Sequence, residues 1–197
     1  ADGLYLHLNP LQEAVQPEGD TNFAGLATKI AAVVRALPVP VLLKEVGSGL
    51  SPADITLGKG AGVRYFDLAG RGGTSWSRIE HHRRRDPADT LGLTYQDWGL
   101  TTAEALRLNR AAHPDITLIA SGGIRNGIDM AKAVLLGAEL CGIAAPFLAA
   151  GYHAMVLRYC AGEHRAWPGP LRDYEAAMAL VDERAGSWRL RADKVAV

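Results

Sequence analysis

The chain has 197 residues, of which 48% are hydrophobic, and its 21 Lys and Arg residues balance 21 Asp and Glu residues. This composition is typical of a domain with an apolar core and argues against a disordered chain. The zero net charge argues against a nucleic-acid-binding domain, and no apolar run reaches the roughly 18 residues of a membrane span. We therefore expect neither a nucleic-acid partner nor a membrane partner.

The two cysteines, Cys141 and Cys160, lie far apart and form no paired motif. A disulfide framework or a cysteine metal site is therefore not expected, and the cytoplasm, a reducing compartment, is the expected location. The first residues, from Ala1 onwards, do not have the basic and apolar segments of a secretory signal peptide.

Short apolar runs alternate with longer segments of helical periodicity along the chain. Five runs are predicted as strands, at residues 4–8, 41–44, 63–68, 116–120 and 140–144. One predicted helix begins after Ser51, and the others cover residues 21–37, 102–112, 126–136, 146–160 and 171–183. Strands that alternate with helices indicate βαβ units and a parallel sheet, so the predicted fold class is α/β.

Capping residues precede several predicted helices. Ser51, which is followed by Pro and an acidic residue, is the predicted N-cap of one helix, and Thr101 or Thr102 caps another. Asp20 is the expected N-cap of the helix over residues 21–37.

The stretch between Gly70 and Gly99 contains many Gly, Arg and His residues. Its pattern has no clear helical or strand periodicity, so we predict a long irregular segment. The basic run His81–Arg85 within it is expected to be a solvated loop.

Polar or Gly-rich residues follow every predicted strand, and ligands of parallel α/β folds bind beyond the carboxyl ends of the strands. Ser121-Gly122-Gly123 follows the fourth strand and leads into a helix, where backbone N–H groups can hold a phosphate. The turn at Ala144-Ala145 would complete this site. A Gly-rich turn without a ligand is the alternative.

Two charged residues at predicted strand ends each have two interpretations. Lys44 ends the second strand, where a buried cation needs either an anionic cofactor such as a reduced flavin or an Asp or Glu neighbour. Glu13 follows the first strand, where it could bind Mg²⁺ together with substrate phosphate oxygens, or lie exposed to solvent.

Taken together, the strand-end segments resemble the type 2 isopentenyl diphosphate isomerases, which are FMN-dependent (β/α)8-barrel enzymes. The resemblance covers residues 4–150. Its most specific pieces are Asn9-Pro10-Leu11-Gln12-Glu13 and Gly72-Gly73-Thr74-Ser75-Trp76; the others include Lys44-Glu45-Val46-Gly47, Asp67-Leu68-Ala69-Gly70 and Ser121-Gly122-Gly123-Ile124.

The resemblance implies a role for each matched position. Gln12 would act beside the reacting carbons with His7, Asn9 and Trp76, and Glu13 would be the metal ligand. Contacts to FMN are implied for Lys44, Ala69, Thr74, Gly122, Gly123, Ile124, Ala144 and Ala145. The family often has Ser where this chain has Ala69.

The implied reaction interconverts isopentenyl diphosphate and dimethylallyl diphosphate, as a step of isoprenoid biosynthesis. It adds a proton at one carbon and removes another nearby, with reduced FMN as the acid–base group, Mg²⁺ on the diphosphate and NADPH as the reductant. Such chemistry needs a positioned acid in a site that excludes water.

The five predicted strands correspond to the last five strands of the TIM barrel. We assign residues 1–165 to a partial FMN-binding barrel and residues 166–197 to a C-terminal helix and tail. Five strands do not close a barrel, so the remainder is expected on a longer protein or on another chain, unless the sheet stays open. The resemblance separately implies a homo-oligomer.

Two other functions remain open. The chain could be a non-catalytic partial barrel, an assembly partner completed by another chain. It could also be another FMN barrel oxidoreductase, such as a relative of the 2-hydroxy acid oxidases, in which case an active-site His or Arg would replace Gln12 and Glu13 in function.

Overall fold

The structure is a computed structural model that describes residues 2–84, 86 and 88–143. Five strands within these residues form one parallel sheet in sequential order: β1 (Leu4–His7), β2 (Val41–Lys44), β3 (Tyr65–Asp67), β4 (Thr117–Ala120) and β5 (Leu140–Cys141). The helices are α1 (Pro10–Val15), α2 (Leu26–Ala36), α3 (Pro52–Gly60), α4 (Trp76–Arg83), α5 (Leu91–Thr94), α6 (Thr102–Ala112) and α7 (Gly127–Leu135). The α/β prediction and its five strands are confirmed.

The strand order is that of consecutive strands in a (β/α)8 barrel. Each strand pairs with the next one along the chain, without the reversal of order that a doubly wound sheet shows. Helix α2 packs on α3, and α3 packs on α6, so these helices form one layer. The described residues therefore make up five consecutive strands of a barrel-type sheet with helices outside.

Alternate rows of side chains across the sheet have different environments. Leu43, Phe66 and Leu118 lie side by side on neighbouring strands, and all three are almost completely buried in the core. The next row toward the carboxyl edge contains His7, Lys44 and Asp67. Because successive side chains of a strand point to opposite faces, this polar row lies on the face away from the helical layer.

The core lies between the sheet and the helices. Its members are apolar side chains of both layers, which the βαβ pattern brings together: Ile30, Leu43, Leu50, Ile55, Val63, Phe66, Leu68, Leu106, Leu118, Ala120 and Ala133. None of the helices in the described ranges combines the length and apolar character needed to cross a membrane.

Two helices begin with the capping boxes that their sequences favour. The Ser51 hydroxyl accepts a hydrogen bond from the backbone N–H of Asp54, and the Asp54 carboxylate accepts one from the backbone N–H of Ser51. Thr101 and Glu104 exchange the same pair of bonds at the start of α6. The predictions for Ser51 and Thr101 are therefore confirmed, and each box satisfies backbone donors that the helix itself leaves unpaired.

The prediction of Asp20 as an N-cap is wrong. Helix α2 begins at Leu26, and its N-cap is Gly25, which has a φ of 70°. The Asp20 carboxylate instead accepts a hydrogen bond from the backbone N–H of Asn22, a turn that competes with helix formation.

The prediction of a long irregular segment between Gly70 and Gly99 is also wrong, because helices α4 and α5 lie within it. Its basic residues are not simply solvated. Arg83 forms ion pairs with Glu80 and Glu18, and Arg84 pairs with Asp89. The predicted helices over residues 146–160 and 171–183, and the boundary between residues 165 and 166, lie outside the described residues.

The Ser51 capping box gives a prediction about stability. Replacing Ser51 with Ala removes the acceptor for the Asp54 N–H and should lower the free energy of unfolding by about 1 kcal/mol. Ser51→Thr keeps the hydroxyl and should retain most of this energy. Urea unfolding followed by circular dichroism measures both variants, and an unchanged midpoint for Ser51→Ala would contradict the prediction.

Candidate active site

A buried carboxylate connects the carboxyl ends of three strands. Asp67 ends β3, and its Oδ2 atom lies 3.3 Å from the Nζ atom of Lys44 at the end of β2. Its Oδ1 atom accepts a hydrogen bond from the hydroxyl of Ser121, directly after β4. The side chain of Asp67 is only 7% exposed, so these contacts supply the partners that burial of its charge requires.

Lys44 therefore has the acidic neighbour that one interpretation of the sequence expected. Its Nζ atom also lies 3.5 Å from the Ser121 Oγ atom. An ammonium group has three N–H donors, and the Lys44 side chain is 30% exposed, so a third donor remains for a ligand. Pairing with Asp67 and contact with a cofactor are thus compatible.

His7 lies beside Lys44 in the same cross-strand row. Partial burial lowers the pKa of His7, the Lys44 cation lowers it further, and Glu13 opposes both effects by raising it. Together these effects favour the neutral imidazole, in which one ring nitrogen can donate and the other can accept a hydrogen bond.

The side chains of α1 form a connected hydrogen-bond network next to this row. The Asn9 amide donates to Gln12 Oε1 at 3.3 Å and to Glu13 Oε1 at 3.1 Å. Gln12 and Glu13 lie on a helix that starts at Pro10, a helix that is absent from the predicted elements. A Pro at the first helical position is the signal that could have indicated this helix.

Helix α1, which contains part of the first specific motif, packs against α4, which begins at the end of the second. Gln12 of α1 donates from Nε2 to Glu80 Oε1 on α4 over 2.8 Å, and α1 packs against α4. Glu80 is almost completely buried, and Arg83 donates to both of its oxygens. This arrangement orients the Gln12 amide, and sequence analysis did not identify Glu80 as part of the site.

Trp76 begins α4 and lines the same shallow cleft as Gln12. Tyr95 and Trp98 lie on another side of this cleft, with their rings packed edge to face. The cleft thus combines the Gln12 amide with three aromatic side chains.

A second buried carboxylate, Glu45, shapes the loop after β2. Its Oε2 atom accepts hydrogen bonds from the backbone N–H groups of Val46, Ser48 and Gly49. Burial raises the pKa of Glu45, and these backbone bonds oppose the rise. Gly47 in this loop lies close to Trp76. Both residues line the cleft, and so does Glu45.

Two glycine-rich loops pack directly against each other. A Cβ atom on Gly122 would lie 2.0 Å from the Gly70 carbonyl oxygen, and one on Gly123 would lie 2.6 Å from the Gly72 oxygen. Gly122 and Gly123 also have φ values of 90° and 76°, which favour glycine. Backbone contact between the loops therefore excludes side chains at both positions.

The backbone N–H groups of Gly122, Gly123 and Ile124 donate to no backbone carbonyl within the described ranges. These residues are half-buried and precede α7, whose own N-cap is Asn126. Consecutive N–H groups without carbonyl partners are what a phosphate group requires, so the loop fits the phosphate of a flavin mononucleotide.

The other residues predicted to contact FMN differ in exposure: one is exposed, one is buried and two lie outside the described residues. Thr74 is exposed on the loop before α4. Ala69 is buried, with a φ of 39°, and its N–H lies 3.3 Å from Asp67 Oδ1. Ala144 and Ala145 lie outside the described residues.

Glu13 is the predicted metal ligand. Its Oε2 atom accepts hydrogen bonds from Gln16 and from the backbone of Asp20, both at 2.7 Å, whereas among the described residues Oε1 accepts only from Asn9. Within the described ranges, no group of three or more His, Cys, Asp or Glu residues is arranged to hold a metal. The remaining lone pair of Oε1 fits a Mg²⁺ ion that takes its other ligands from water and substrate phosphate.

The chain is similar to several proteins named isopentenyl-diphosphate delta-isomerase over about three quarters of its length. The isopentenyl-diphosphate delta-isomerase of Paracoccus zeaxanthinifaciens is 67% identical over 158 residues, which cover 78% of this chain and 45% of that protein. The proteins of the same name from Hydrogenovibrio crunogenus and Nostoc sp. are 64% and 52% identical, over 75% and 76% of this chain and 43% of each relative. The chain thus spans less than half the length of these curated relatives.

The family match covers a similar share of the chain. Residues 12–161 match the FMN-dependent dehydrogenase family, a range that includes the site residues from Gln12 to Ile124. The parallel sheet and its sequential strand order agree with the barrel expected for this family. The chain belongs to the FMN-dependent dehydrogenase family.

Proposed function

We propose that this chain forms part of an isomerase that interconverts isopentenyl diphosphate and dimethylallyl diphosphate. The names of its relatives support this proposal, since proteins up to 67% identical are called isopentenyl-diphosphate delta-isomerase. The observation that carries it is the hydrogen bond between Gln12 and the buried Glu80, because it fixes an uncharged amide beside the cleft.

The reaction moves a double bond, so one carbon gains a proton and another loses one. Reduced FMN would supply these proton transfers, with NADPH as the reductant that keeps the flavin reduced. The chain's own contribution is to bind the flavin phosphate at Gly122–Ile124 and to place the Lys44 ammonium against the flavin ring. Gln12 and Trp76 border the space left for the alkene, from which water must be excluded.

Gln12 is suited to position an uncharged alkene. Its amide carries no charge, and one of the two N–H donors on Nε2 is bonded to Glu80, so its orientation is fixed without help from the substrate. Asn9 donates a hydrogen bond to its Oε1 atom, and His7, whose lowered pKa favours the neutral ring, ends the strand that precedes α1. These residues therefore hold the reacting carbons without adding a competing charged acid.

Glu13 is proposed as the ligand of a Mg²⁺ ion, which would neutralise part of the diphosphate charge. Mg²⁺ sites commonly use one or two carboxylates together with phosphate oxygens and water. Glu13 lies one residue from Gln12 on α1, so this arrangement would place the diphosphate next to the reacting part of the substrate.

The complete enzyme would need more than the described sheet. Within the described ranges, β1 and β5 each pair with one strand only, and the chain covers 45% of its relative from Paracoccus zeaxanthinifaciens. A non-catalytic partial barrel that completes another chain is therefore the second candidate function. Native mass spectrometry of the purified particle tests this second function, because a stable monomer of this chain alone would rule out an assembly partner.

The isomerase proposal predicts the effect of substitutions in α1. With FMN, Mg²⁺ and NADPH present, Gln12→Ala and Glu13→Ala should each reduce conversion of isopentenyl diphosphate by about 100-fold, a typical contribution of one positioned group. Both variants should retain the flavin absorption, because neither residue is assigned to flavin binding. Conversion is followed by chromatography of the products.

The matched control is Asp115→Ala, which removes an exposed carboxylate that pairs with Lys59. Asp115 precedes β4, at the opposite end of the strand from Ser121, and its substitution should leave conversion unchanged. Unchanged conversion in Gln12→Ala would contradict the proposal. Flavin reduction by a 2-hydroxy acid in place of isomerisation would favour an oxidoreductase.

The charged neighbours of His7 allow a prediction of how its pKa responds to substitutions. The pKa of His7 should lie below 6.5, and Lys44→Met should raise it by removing the cation that disfavours the imidazolium. Glu13→Gln should have the opposite effect and lower the pKa further. Proton NMR of the His7 ring against pH measures all three proteins, and a pKa at or above 6.5 in the unsubstituted chain would disprove this assignment.

The same shift predicts a pH dependence of stability. Between the folded and unfolded pKa values of His7, the unfolded chain binds more protons, so the free energy of unfolding rises as the pH increases toward and through 6.5. In His7→Gln this rise should be smaller. Urea unfolding at pH 5.5 and pH 7.5 measures the difference, which should be absent if His7 titrates normally.

A further inference from the structure

Thr102 connects the start of α6 to the glycine loop after β4. Its side chain is buried, and its hydroxyl oxygen lies 3.0 Å from the carbonyl oxygen of Ser121 and 2.7 Å from that of Gly122. It is the first residue of α6, one position after the N-cap Thr101, whose hydroxyl already serves the helix start. The Thr102 hydroxyl is therefore not needed to cap α6.

The Thr102 hydroxyl can donate one hydrogen bond, and the surroundings indicate which carbonyl oxygen accepts it. The Ser121 oxygen already accepts a hydrogen bond from the backbone N–H of Gly70 at 3.0 Å. The Gly122 oxygen accepts from no backbone N–H within the described ranges, and it is the closer of the two oxygens to Thr102. Thr102 thus supplies the hydrogen bond that the Gly122 carbonyl otherwise lacks.

This bond also determines where the next N–H group points. In a trans peptide the carbonyl and the N–H lie in one plane and point in opposite directions. Holding the Gly122 oxygen toward α6 therefore directs the Gly123 N–H away from α6. Without such a bond the two glycines could rotate this peptide plane, because glycine has many accessible conformations.

We propose that Thr102 is a positioning residue that sets the direction of the Gly123 N–H for binding of a phosphate group. This inference rests on the proposed function, in which residues 122–124 hold the phosphate of FMN. The packing of Gly70 and Gly72 against Gly122 and Gly123 supports the loop from one side, and the Thr102 hydroxyl holds it from another.

The proposal is specific to the phosphate, so two flavins test it. Riboflavin has the same ring and ribityl chain as FMN but no phosphate. Thr102→Val and Thr102→Ala remove the hydroxyl, and each should weaken FMN binding by about tenfold, the equivalent of about 1.4 kcal/mol. Riboflavin binding should change by less than about twofold, which also shows that the variant is folded.

Two controls complete the design. Thr102→Ser retains the hydroxyl and should bind FMN as the unsubstituted chain does. Thr56→Val removes another Thr hydroxyl that donates to a backbone carbonyl, that of Pro52 in α3, and should change neither affinity. Fluorescence titration of the 197-residue chain, together with the polypeptide that completes it if one co-purifies, gives the affinities.

If the Thr102→Val and Thr102→Ala variants do not fold, the proposal can still be tested with inorganic phosphate. In the unsubstituted chain and in Thr102→Ser, phosphate should shift the amide NMR signals of Gly122 and Gly123 at similar concentrations. Failure of Thr102→Ser to reproduce the shifts would overturn the proposal.

The outcomes separate this inference from the proposed function. If the unsubstituted chain binds FMN no more tightly than riboflavin, there is no phosphate site, and both the proposed flavin site and the role of Thr102 are wrong. If it prefers FMN and the Thr102→Val variant keeps the same preference, only the role of Thr102 is overturned.

Discussion

The arrangement of the candidate site depends on the buried carboxylate of Asp67. Its two oxygens hold Lys44 from β2 and Ser121 from the end of β4, so three neighbouring strand ends share one set of polar contacts. Removing one member of such a pair leaves a buried charge without a partner, at a cost of several kcal/mol. The positions of a cation donor and of the glycine loop are therefore linked through Asp67.

The glycine loops extend this arrangement away from the sheet. Ser121 begins the loop that contains Gly122 and Gly123, and that loop packs against the backbone of Gly70 and Gly72. The loop of Gly70 follows Asp67 on β3, so the same carboxylate lies at the base of both loops. Close backbone packing replaces side-chain contacts here, which leaves N–H groups available for a ligand.

The sequence predicted the parts of the fold that local patterns determine. The strands have continuous apolar runs, which a sequence pattern shows directly. The capping residues Ser51 and Thr101 bond to residues three positions further along the chain, so these caps were also predictable. Helix α1 has only six residues, too few for a periodic pattern, and α4 is mostly polar. The two helices pack against each other, a contact that periodicity does not show.

The contrast between local patterns and contacts of distant residues also explains which candidate site residues could be predicted. Lys44 and the glycines could be predicted because they end strands, where ligands of parallel sheets bind. Glu80 could not, because its importance comes from burial beside Gln12, which is 68 positions away in the chain. A buried acid on a polar helix looks like a solvated residue until its partners are known. The contact between α1 and α4 is therefore the part of the candidate site that lies beyond the reach of strand-end patterns.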